Sequence, residues 1–134
     1  MKIDGRCHCG AITYEAEVDA DKVVVCHCAD CQTLSGSAFR VAVPVERNTF
    51  KLLSGRLKTY VKTTAESGNK RDQAFCPECG THIYSSGPGG ALPLFVRVGT
   101  VRQRDALVPR KQIWVRSAQR WLADLGRLAK SEKA

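Results

Sequence analysis

The chain lacks any apolar run that approaches the ~20 residues needed to cross a bilayer. Its first residues, Met1-Lys2-Ile3-Asp4-Gly5, also lack the apolar segment of a secretory signal peptide. No internal repeat or low-complexity tract occurs within its 134 residues. These absences predict a cytoplasmic protein with no membrane contact. In such a reducing setting, clustered cysteines are metal ligands more often than disulfide partners.

Acidic residues are also scarce. The chain contains 13 Asp and Glu but 21 Lys and Arg, which gives a formal net charge of +8. The imbalance lies mainly in residues 97–134, which contain ten of the basic residues and three of the acidic ones. Such an excess favours anionic ligands without choosing between a small carboxylate and a polyphosphate. Aromatic residues make up only 7% of the chain and do not interleave with the basic ones. Nucleic acid is therefore a partner that the sequence permits but does not favour.

Short β-strands dominate the secondary structure that the sequence predicts. Residues 11–18 alternate between apolar and polar side chains, which is the pattern of a strand with one buried face. Further strands are predicted at residues 23–25, 39–45, 57–62, 94–100 and 112–115. Turn residues such as Ser54-Gly55 and Ser67-Gly68-Asn69 separate these runs. We therefore predict a mostly β domain built from short antiparallel strands.

Two short helices complete the predicted structure. One occupies a turn or two after Cys28, and the other begins at Ser117 as its N-cap. The second helix places Trp121, Leu125 and Leu128 on one face. Neither a linker nor a break in composition divides the chain, so residues 1–134 are predicted to form a single domain.

Cysteine, in contrast, is abundant and clustered. The seven cysteines occur in three groups, Cys7-His8-Cys9-Gly10, Cys26-His27-Cys28-Ala29-Asp30-Cys31 and Cys76-Pro77-Glu78-Cys79-Gly80. Zinc binds thiolates in tetrahedral sites, and its ligands arrive in close pairs from tight turns. The third group has the form of a zinc knuckle, with proline stiffening the turn and glycine after the second cysteine allowing a positive φ. This pattern predicts zinc binding.

The cysteine count suggests how the ligands divide. The two groups that contain a pair of cysteines make one closed four-thiolate site, formed by Cys7, Cys9, Cys76 and Cys79. Cys26, Cys28 and Cys31 then hold a second zinc with one open position. If Cys7 and Cys9 lie in extended backbone, both side chains point to one side and His8 points away. By the same logic His27 is not a ligand, and His82 is interpreted as structural.

Two alternatives to the open site follow from the same residues. The central group is then either a set of buried thiols without metal, or a purely structural site that borrows a fourth ligand. A labile three-thiolate site would also suit a metal or redox sensor.

The sequence resembles the family of glutathione-dependent formaldehyde-activating enzymes, also called S-(hydroxymethyl)glutathione synthases, which includes centromere protein V. The resemblance is carried by all three cysteine groups, in order and spacing, and by two later motifs, Val96-Arg97-Val98-Gly99-Thr100 and Ile113-Trp114-Val115-Arg116-Ser117. It implies a β-tent architecture with Cys7, Cys9, Cys76 and Cys79 on a structural zinc. It also implies that Cys26, Cys28 and Cys31 hold a catalytic-type zinc.

Two positions depart from the family pattern. Val101-Arg102-Gln103-Arg104 stands where the family often has acidic residues, and Gln112 stands where it often has histidine. The metal sites are unaffected, but the identity of the substrate is left open.

The resemblance implies a carbon–sulfur lyase that adds a thiol such as glutathione to formaldehyde or another small aldehyde. The thiol would bind at the open position of the second zinc, and Arg97, Arg116 or another basic residue would receive a carboxylate. The alternative is a non-catalytic zinc module that binds nucleic acid or protein through its basic C-terminal surface. The two hypotheses differ in salt dependence, which is steep for binding to the phosphates of nucleic acid.

Overall fold

The computed structural model describes all 134 residues. It contains ten strands: β1 (Lys2–Arg6), β2 (Thr13–Glu17), β3 (Val24–Cys26), β4 (Arg40–Pro44), β5 (Lys51–Ser54), β6 (Lys58–Lys62), β7 (Arg71–Phe75), β8 (His82–Ser86), β9 (Phe95–Arg97) and β10 (Lys111–Ile113). The single α-helix is α1 (Ala29–Ser35), and short 3₁₀ helices cover Ala20–Lys22, Pro88–Gly90, Val98–Thr100, Arg104–Ala106, Val115–Ser117 and Arg120–Arg127. None of these helices is long and apolar enough to cross a membrane.

The strands form two sheets. A three-stranded sheet has the order β1-β2-β5, and a seven-stranded sheet has the order β10-β3-β4-β9-β8-β7-β6. The prediction of a mostly β fold is therefore confirmed. The expectation of antiparallel strands is wrong at one pair, because β10 runs parallel to β3. Apolar patterning predicts which residues form a strand but not the direction of its neighbour, and β10 returns to β3 only after the chain has formed the rest of the sheet.

The core is built from inward-facing side chains of both sheets. The alternation predicted for residues 11–18 is confirmed, since Ile12, Tyr14, Ala16 and Val18 are all at most 5% exposed. Val43, Ile83 and Val96 are completely buried on the larger sheet, and they belong to the same core cluster. Because this face of the larger sheet is filled by apolar side chains, its opposite face is left to carry the polar groups described below.

The predicted helix after Cys28 is confirmed as α1, and the second predicted helix is present, but it begins at Arg120 instead of after Ser117 and is a 3₁₀ helix. Ser117 ends one 3₁₀ helix, and the next, Arg120–Arg127, has Gln119 as its N-cap. Trp121, Leu125 and Leu128 are 51%, 50% and 59% exposed. A short helix gains most of its stability from packing its apolar face, so a segment whose apolar side chains stay half exposed has little to hold it in the α conformation.

Candidate metal centres and the cavity beside them

The four-cysteine cluster, Cys7, Cys9, Cys76 and Cys79, joins two distant parts of the chain. Cys7 and Cys9 follow β1, whereas Cys76 and Cys79 lie between β7 and β8. The four Sγ atoms lie within 4.8 Å of one another. Cys9 Sγ is 3.5 Å from Cys7 Sγ and 3.8 Å from Cys76 Sγ. A tetrahedron with Zn–S bonds of about 2.3 Å has edges of about 3.8 Å, so the donors and their spacing fit a closed zinc site.

The reason predicted for the convergence of Cys7 and Cys9 is wrong. The backbone at Cys7–Gly10 is a turn and not an extended strand, and Gly10 N donates to Cys7 O at 3.2 Å. Gly10 has a φ of +83°, which only glycine adopts without strain. Gly80 closes the second turn in the same way, with a φ of +73° and its N–H bonded to Cys76 O at 2.9 Å. Two turns, each closed by a glycine, therefore bring the sulfurs together.

Hydrogen-bond donors around this cluster favour thiolates. Ile12 N donates to Cys7 Sγ at 3.2 Å, and the hydroxyl group of Thr81 lies 3.1 Å from Cys79 Sγ. The Thr81 hydroxyl, helped by backbone N–H groups, lowers the pKa of Cys79 to about 5. A cysteine binds metal as the thiolate, so these donors prepare Cys7 and Cys79 for a cation.

The three-cysteine cluster consists of Cys26 at the end of β3, Cys28 at the N-cap of α1 and Cys31 in the first turn of α1. Their Sγ atoms also lie within 4.8 Å of one another. Cys31 N donates to Cys28 Sγ at 3.3 Å. The hydrogen bond with Cys31 lowers the pKa of Cys26 to about 5 and raises that of Cys31. No histidine, aspartate or glutamate joins the three sulfurs as a fourth donor.

The histidines stand apart from both clusters. His8 is exposed, and its backbone N–H donates to Thr81 Oγ1 at 3.1 Å. His27 is buried, and its Nε2 lies 2.8 Å from Gln112 Oε1. Gln112, one of the two departures from the family pattern, therefore partners a buried histidine. The structure brings neither side chain into a group that would hold a metal.

A cavity of about 620 Å³ opens beside the three-cysteine cluster. One face of the seven-stranded sheet forms its floor, because residues opposite each other on neighbouring strands share a face. In this register Cys26 of β3 lies opposite Arg40 of β4, and Ala42 of β4 lies opposite Arg97 of β9. All four residues line the cavity. Strand register therefore places two arginines beside the cysteines, on the face that does not enter the core.

Arg40 and Arg97 share one neutral partner. Both guanidinium groups donate to Gln73 Oε1, from Arg40 Nη1 at 2.9 Å and from Arg97 Nη2 at 3.0 Å. Arg40 Nη2 also lies 3.0 Å from His82 Nδ1. Burial, followed by the charges of Arg40 and Arg97, lowers the pKa of His82 to about 4, so His82 is neutral at pH 7 and accepts this bond. His82 thus lies outside both cysteine clusters and supports Arg40 through this hydrogen bond.

The walls of the cavity carry further charges that are already paired. Lys62 Nζ lies 2.8 Å from Asp30 Oδ2, and Arg116 forms an ion pair with Glu66. The Arg116 guanidinium also lies 5.1 Å from the ring centroid of Trp114. Trp114 has a φ of +57°, a conformation that is strained for a tryptophan and is often found at functional sites.

Both arginines named in the sequence analysis, Arg97 and Arg116, line this cavity. Arg40 and Gln73 were missed. The one available signal for Arg40 was a charged residue inside an apolar strand, between Phe39 and Val41.

A second groove, of about 650 Å³, lies beside the four-cysteine cluster. Arg6, His8, Arg102 and Arg104 are among its lining residues. The one cysteine that lines this groove, Cys7, belongs to the four-cysteine cluster, so the groove offers no open thiolate site. The cavity at the three-cysteine cluster is therefore the stronger candidate for chemistry.

Comparison with known proteins gives three results. The family profile described as glutathione-dependent formaldehyde-activating enzyme matches residues 2–117. An uncharacterized lyase of Schizosaccharomyces pombe is 27% identical over 93 residues, which are 69% of this chain and 64% of that protein. The match thus spans less than two thirds of that relative. A crystal structure of a Rhodobacter sphaeroides protein superposes with a TM-score of 0.61 at 20% identity, covering 81% of this chain and 98% of the other. At that identity the likeness concerns the fold alone.

Proposed function

The chain belongs to the glutathione-dependent formaldehyde-activating enzyme family, and from this premise we propose that it is a zinc-dependent carbon–sulfur lyase. Its substrates are a thiol of the glutathione type and a small aldehyde such as formaldehyde. The observation that carries the proposal is the convergence of Cys26, Cys28 and Cys31 on the floor of a cationic cavity, without a fourth ligand.

Two zinc ions per chain are part of this proposal. Cys7, Cys9, Cys76 and Cys79 would hold the structural ion, and Cys26, Cys28 and Cys31 the second one. Zinc in the three-cysteine cluster would supply an open position and lower the pKa of a thiol there.

The residues of the chain bind and orient the substrates in this reaction. The thiolate sulfur forms a bond to the aldehyde carbon, the C=O π bond breaks, and the oxygen takes up a proton to give the S-hydroxymethyl adduct. No atom is lost, and the reverse reaction cleaves the same carbon–sulfur bond. Arg40 and Arg97 supply positive charge beside the reacting thiolate, while Phe95 and Trp114 supply apolar wall against water. Arg116 on the wall is an exposed candidate for a carboxylate of the thiol substrate.

The first test is the metal content of the wild-type protein and two cysteine variants. Wild-type protein should contain two zinc ions per chain. Cys28→Ser should lose one zinc and keep its β circular-dichroism spectrum, because the four-cysteine cluster is intact. Cys79→Ser should unfold, because a closed zinc site contributes directly to folding free energy. A wild-type content of one zinc, or unfolding of both variants, would contradict the division into closed and open sites.

The second test is activity. Glutathione and formaldehyde are mixed with and without the zinc-loaded protein, and the disappearance of free thiol is followed. Because the adduct also forms spontaneously, only an acceleration proportional to protein concentration supports the proposal. Cys28→Ser serves as the matched control and should give the spontaneous rate. Equal rates with wild type and buffer would refute the proposed reaction.

A further inference from the structure

Arg40 and Arg97 form a pair of like charges without a carboxylate, and Arg40 is buried while Arg97 is half-buried. Arg40 is only 6% exposed, and the Nε atom of Arg97 is buried without a hydrogen-bond partner. Their shared acceptor, Gln73 Oε1, is neutral. Neither arginine belongs to any of the seven ion pairs in the structure. Two cations that repel each other at a site largely withdrawn from water are stabilised by a compensating negative charge nearby.

The surrounding groups do not provide that charge. His82 is neutral, and the two acidic residues that line the cavity, Asp30 and Glu66, are engaged by Lys62 and Arg116. The remaining groups that can carry negative charge are the three cysteines of the floor, which become thiolates when they bind a metal ion. Their charges act on both arginines, and they oppose the effect of burial, which by itself lowers the pKa of Arg97.

A count of formal charges then gives the sign of the charge expected on the fourth ligand. Three thiolates and one Zn²⁺ carry a net charge of −1, and the two guanidinium groups bring the total to +1. A neutral fourth ligand leaves this excess charge uncompensated, whereas a monoanion reduces it to zero. Unbalanced charge in a poorly solvated site is costly, so the anion is favoured.

We propose that Arg40 and Arg97 are specificity-determining residues that select a monoanion for the open position of the three-cysteine cluster. Thiolates meet this requirement, and so do other soft monoanions such as thiocyanate. Neutral donors such as imidazole and water do not. The inference deepens the proposed function, and it rests on that proposal for the presence of a metal ion at this cluster. It adds a role for the face of the seven-stranded sheet that carries Arg40 and Arg97. These two arginines set the charge of the ligand that binds, whichever reaction follows.

The test measures ligand binding without turnover. Cobalt(II) replaces zinc, and its visible absorption bands report which ligand occupies the open position. The two probes are thiocyanate, a monoanion, and imidazole, which is mostly neutral at pH 8. Wild-type protein should bind thiocyanate in preference to imidazole. Arg97→Met and Arg40→Met should each weaken thiocyanate binding at least about tenfold, because each removes a positive charge close to the open position. Imidazole binding should stay the same or strengthen.

Two further variants separate charge from packing. Arg97→Lys retains the charge and should retain most of the preference for thiocyanate. Arg116→Met removes a cation from the same cavity, but one that is exposed and paired with Glu66, so the ratio of the two affinities should not change. Metal content and circular dichroism of every variant establish that it is folded and loaded.

The binding measurements have three distinguishable outcomes. Loss of thiocyanate preference in both arginine-to-methionine variants, with rescue by lysine, supports the inference. An unchanged ratio in folded, loaded variants overturns it and leaves the proposed lyase reaction standing. If no metal binds at Cys26, Cys28 and Cys31, the inference and the zinc-dependent function fail together.

Discussion

At the scale of the residue, Gly5 has the least room for a side chain. It lies in β1 opposite Tyr14 of β2, whose ring is fully buried and whose hydroxyl bonds Thr100 Oγ1 at 2.7 Å. A Cβ atom added at Gly5 would lie 2.3 Å from Tyr14 Cζ and 2.6 Å from Thr100 O. One methyl group would therefore displace both a core aromatic ring and a backbone carbonyl.

We predict that Gly5→Ala lowers the free energy of unfolding by about 2–3 kcal/mol, the cost of overpacking a core that cannot yield. Urea unfolding of the zinc-loaded protein measures this. Gly99→Ala is the matched control, since a Cβ there meets nothing within 4 Å and the φ of Gly99 is not positive. It should be neutral or stabilise by up to about 1 kcal/mol. Equal effects of the two substitutions would show that Tyr14 can shift aside.

Residue identities alone predicted the cysteine groups but not their neighbours. Cysteines separated by one or two positions signal a metal site whatever the fold around them. Arg40 reaches Cys26 only through the register of β3 and β4, and Gln73 reaches Arg40 only through the order of the four strands β4, β9, β8 and β7. Register and strand order depend on packing across the whole sheet, which a local pattern does not contain. The arginine pair was therefore beyond prediction, although Arg97 was a candidate by its charge.

At the scale of the element, α1 is tied to the C-terminal segment by one side chain. Gln32 Nε2 donates to His27 O at 2.7 Å and to Ser117 O at 2.9 Å, while its Oε1 accepts from Gln119 Nε2 at 2.7 Å. The same helix carries Cys28 and Cys31. Gln32 thus links α1 to the segment that contains Ser117, which forms part of the wall of the cavity. The N-terminal end of α1 carries two of the three thiols in the cavity.

We predict that Gln32→Leu increases hydrogen exchange in residues 113–119 and destabilises the protein by about 1–3 kcal/mol, because two carbonyl groups lose their donor. Hydrogen-exchange mass spectrometry locates the effect. Gln119→Leu removes only the exposed end of the network and should have a much smaller effect. Similar exchange in the two variants would mean that Gln32 does not secure the wall.

The elements that the sequence failed to predict share a physical cause. Strands β1, β5 and β7 are rich in polar residues, and β5 is exposed along its whole length. Backbone pairing with neighbours holds them in place, and no apolar periodicity marks them. The second helix shows the converse. Trp121, Leu125 and Leu128 follow helical periodicity, but no other element covers the face that they form. Strand β2 was predicted because local sequence and tertiary packing agree there. Strand β6 was predicted from its β-favouring residues alone, since most of it is exposed.

At the scale of the whole molecule, the four-cysteine cluster connects the two sheets. Cys7 continues from β1 of the smaller sheet, and Cys76 and Cys79 lie between β7 and β8 of the larger one. The three-cysteine cluster lies within a single sheet and the helix that follows it. Loss of metal from the two clusters should therefore have unequal structural consequences.

We predict that a chelator removes zinc in two phases. The first phase releases the ion at the three-cysteine cluster without loss of β circular dichroism, because that ion has three protein ligands and lies beside an open cavity. The second phase coincides with unfolding, because it separates the sheets. Zinc release and ellipticity are followed together in the presence of a metal-binding dye. Release of both ions in one phase together with unfolding would contradict this division.

The distance between the two halves of the four-cysteine cluster also matters during synthesis. Cys9 and Cys76 are 67 positions apart, and at about 5–20 residues per second a ribosome needs roughly 3–13 s to make that length of chain. Once Cys31 has been made, and until Cys76 is, the emerging chain exposes Cys7 and Cys9 together with Cys26, Cys28 and Cys31, and none of the late pair. A zinc ion that arrived then would meet five thiols and an incomplete set of partners. An ion bound by Cys7 and Cys9 would gain its last two ligands only after Cys76 and Cys79 emerge.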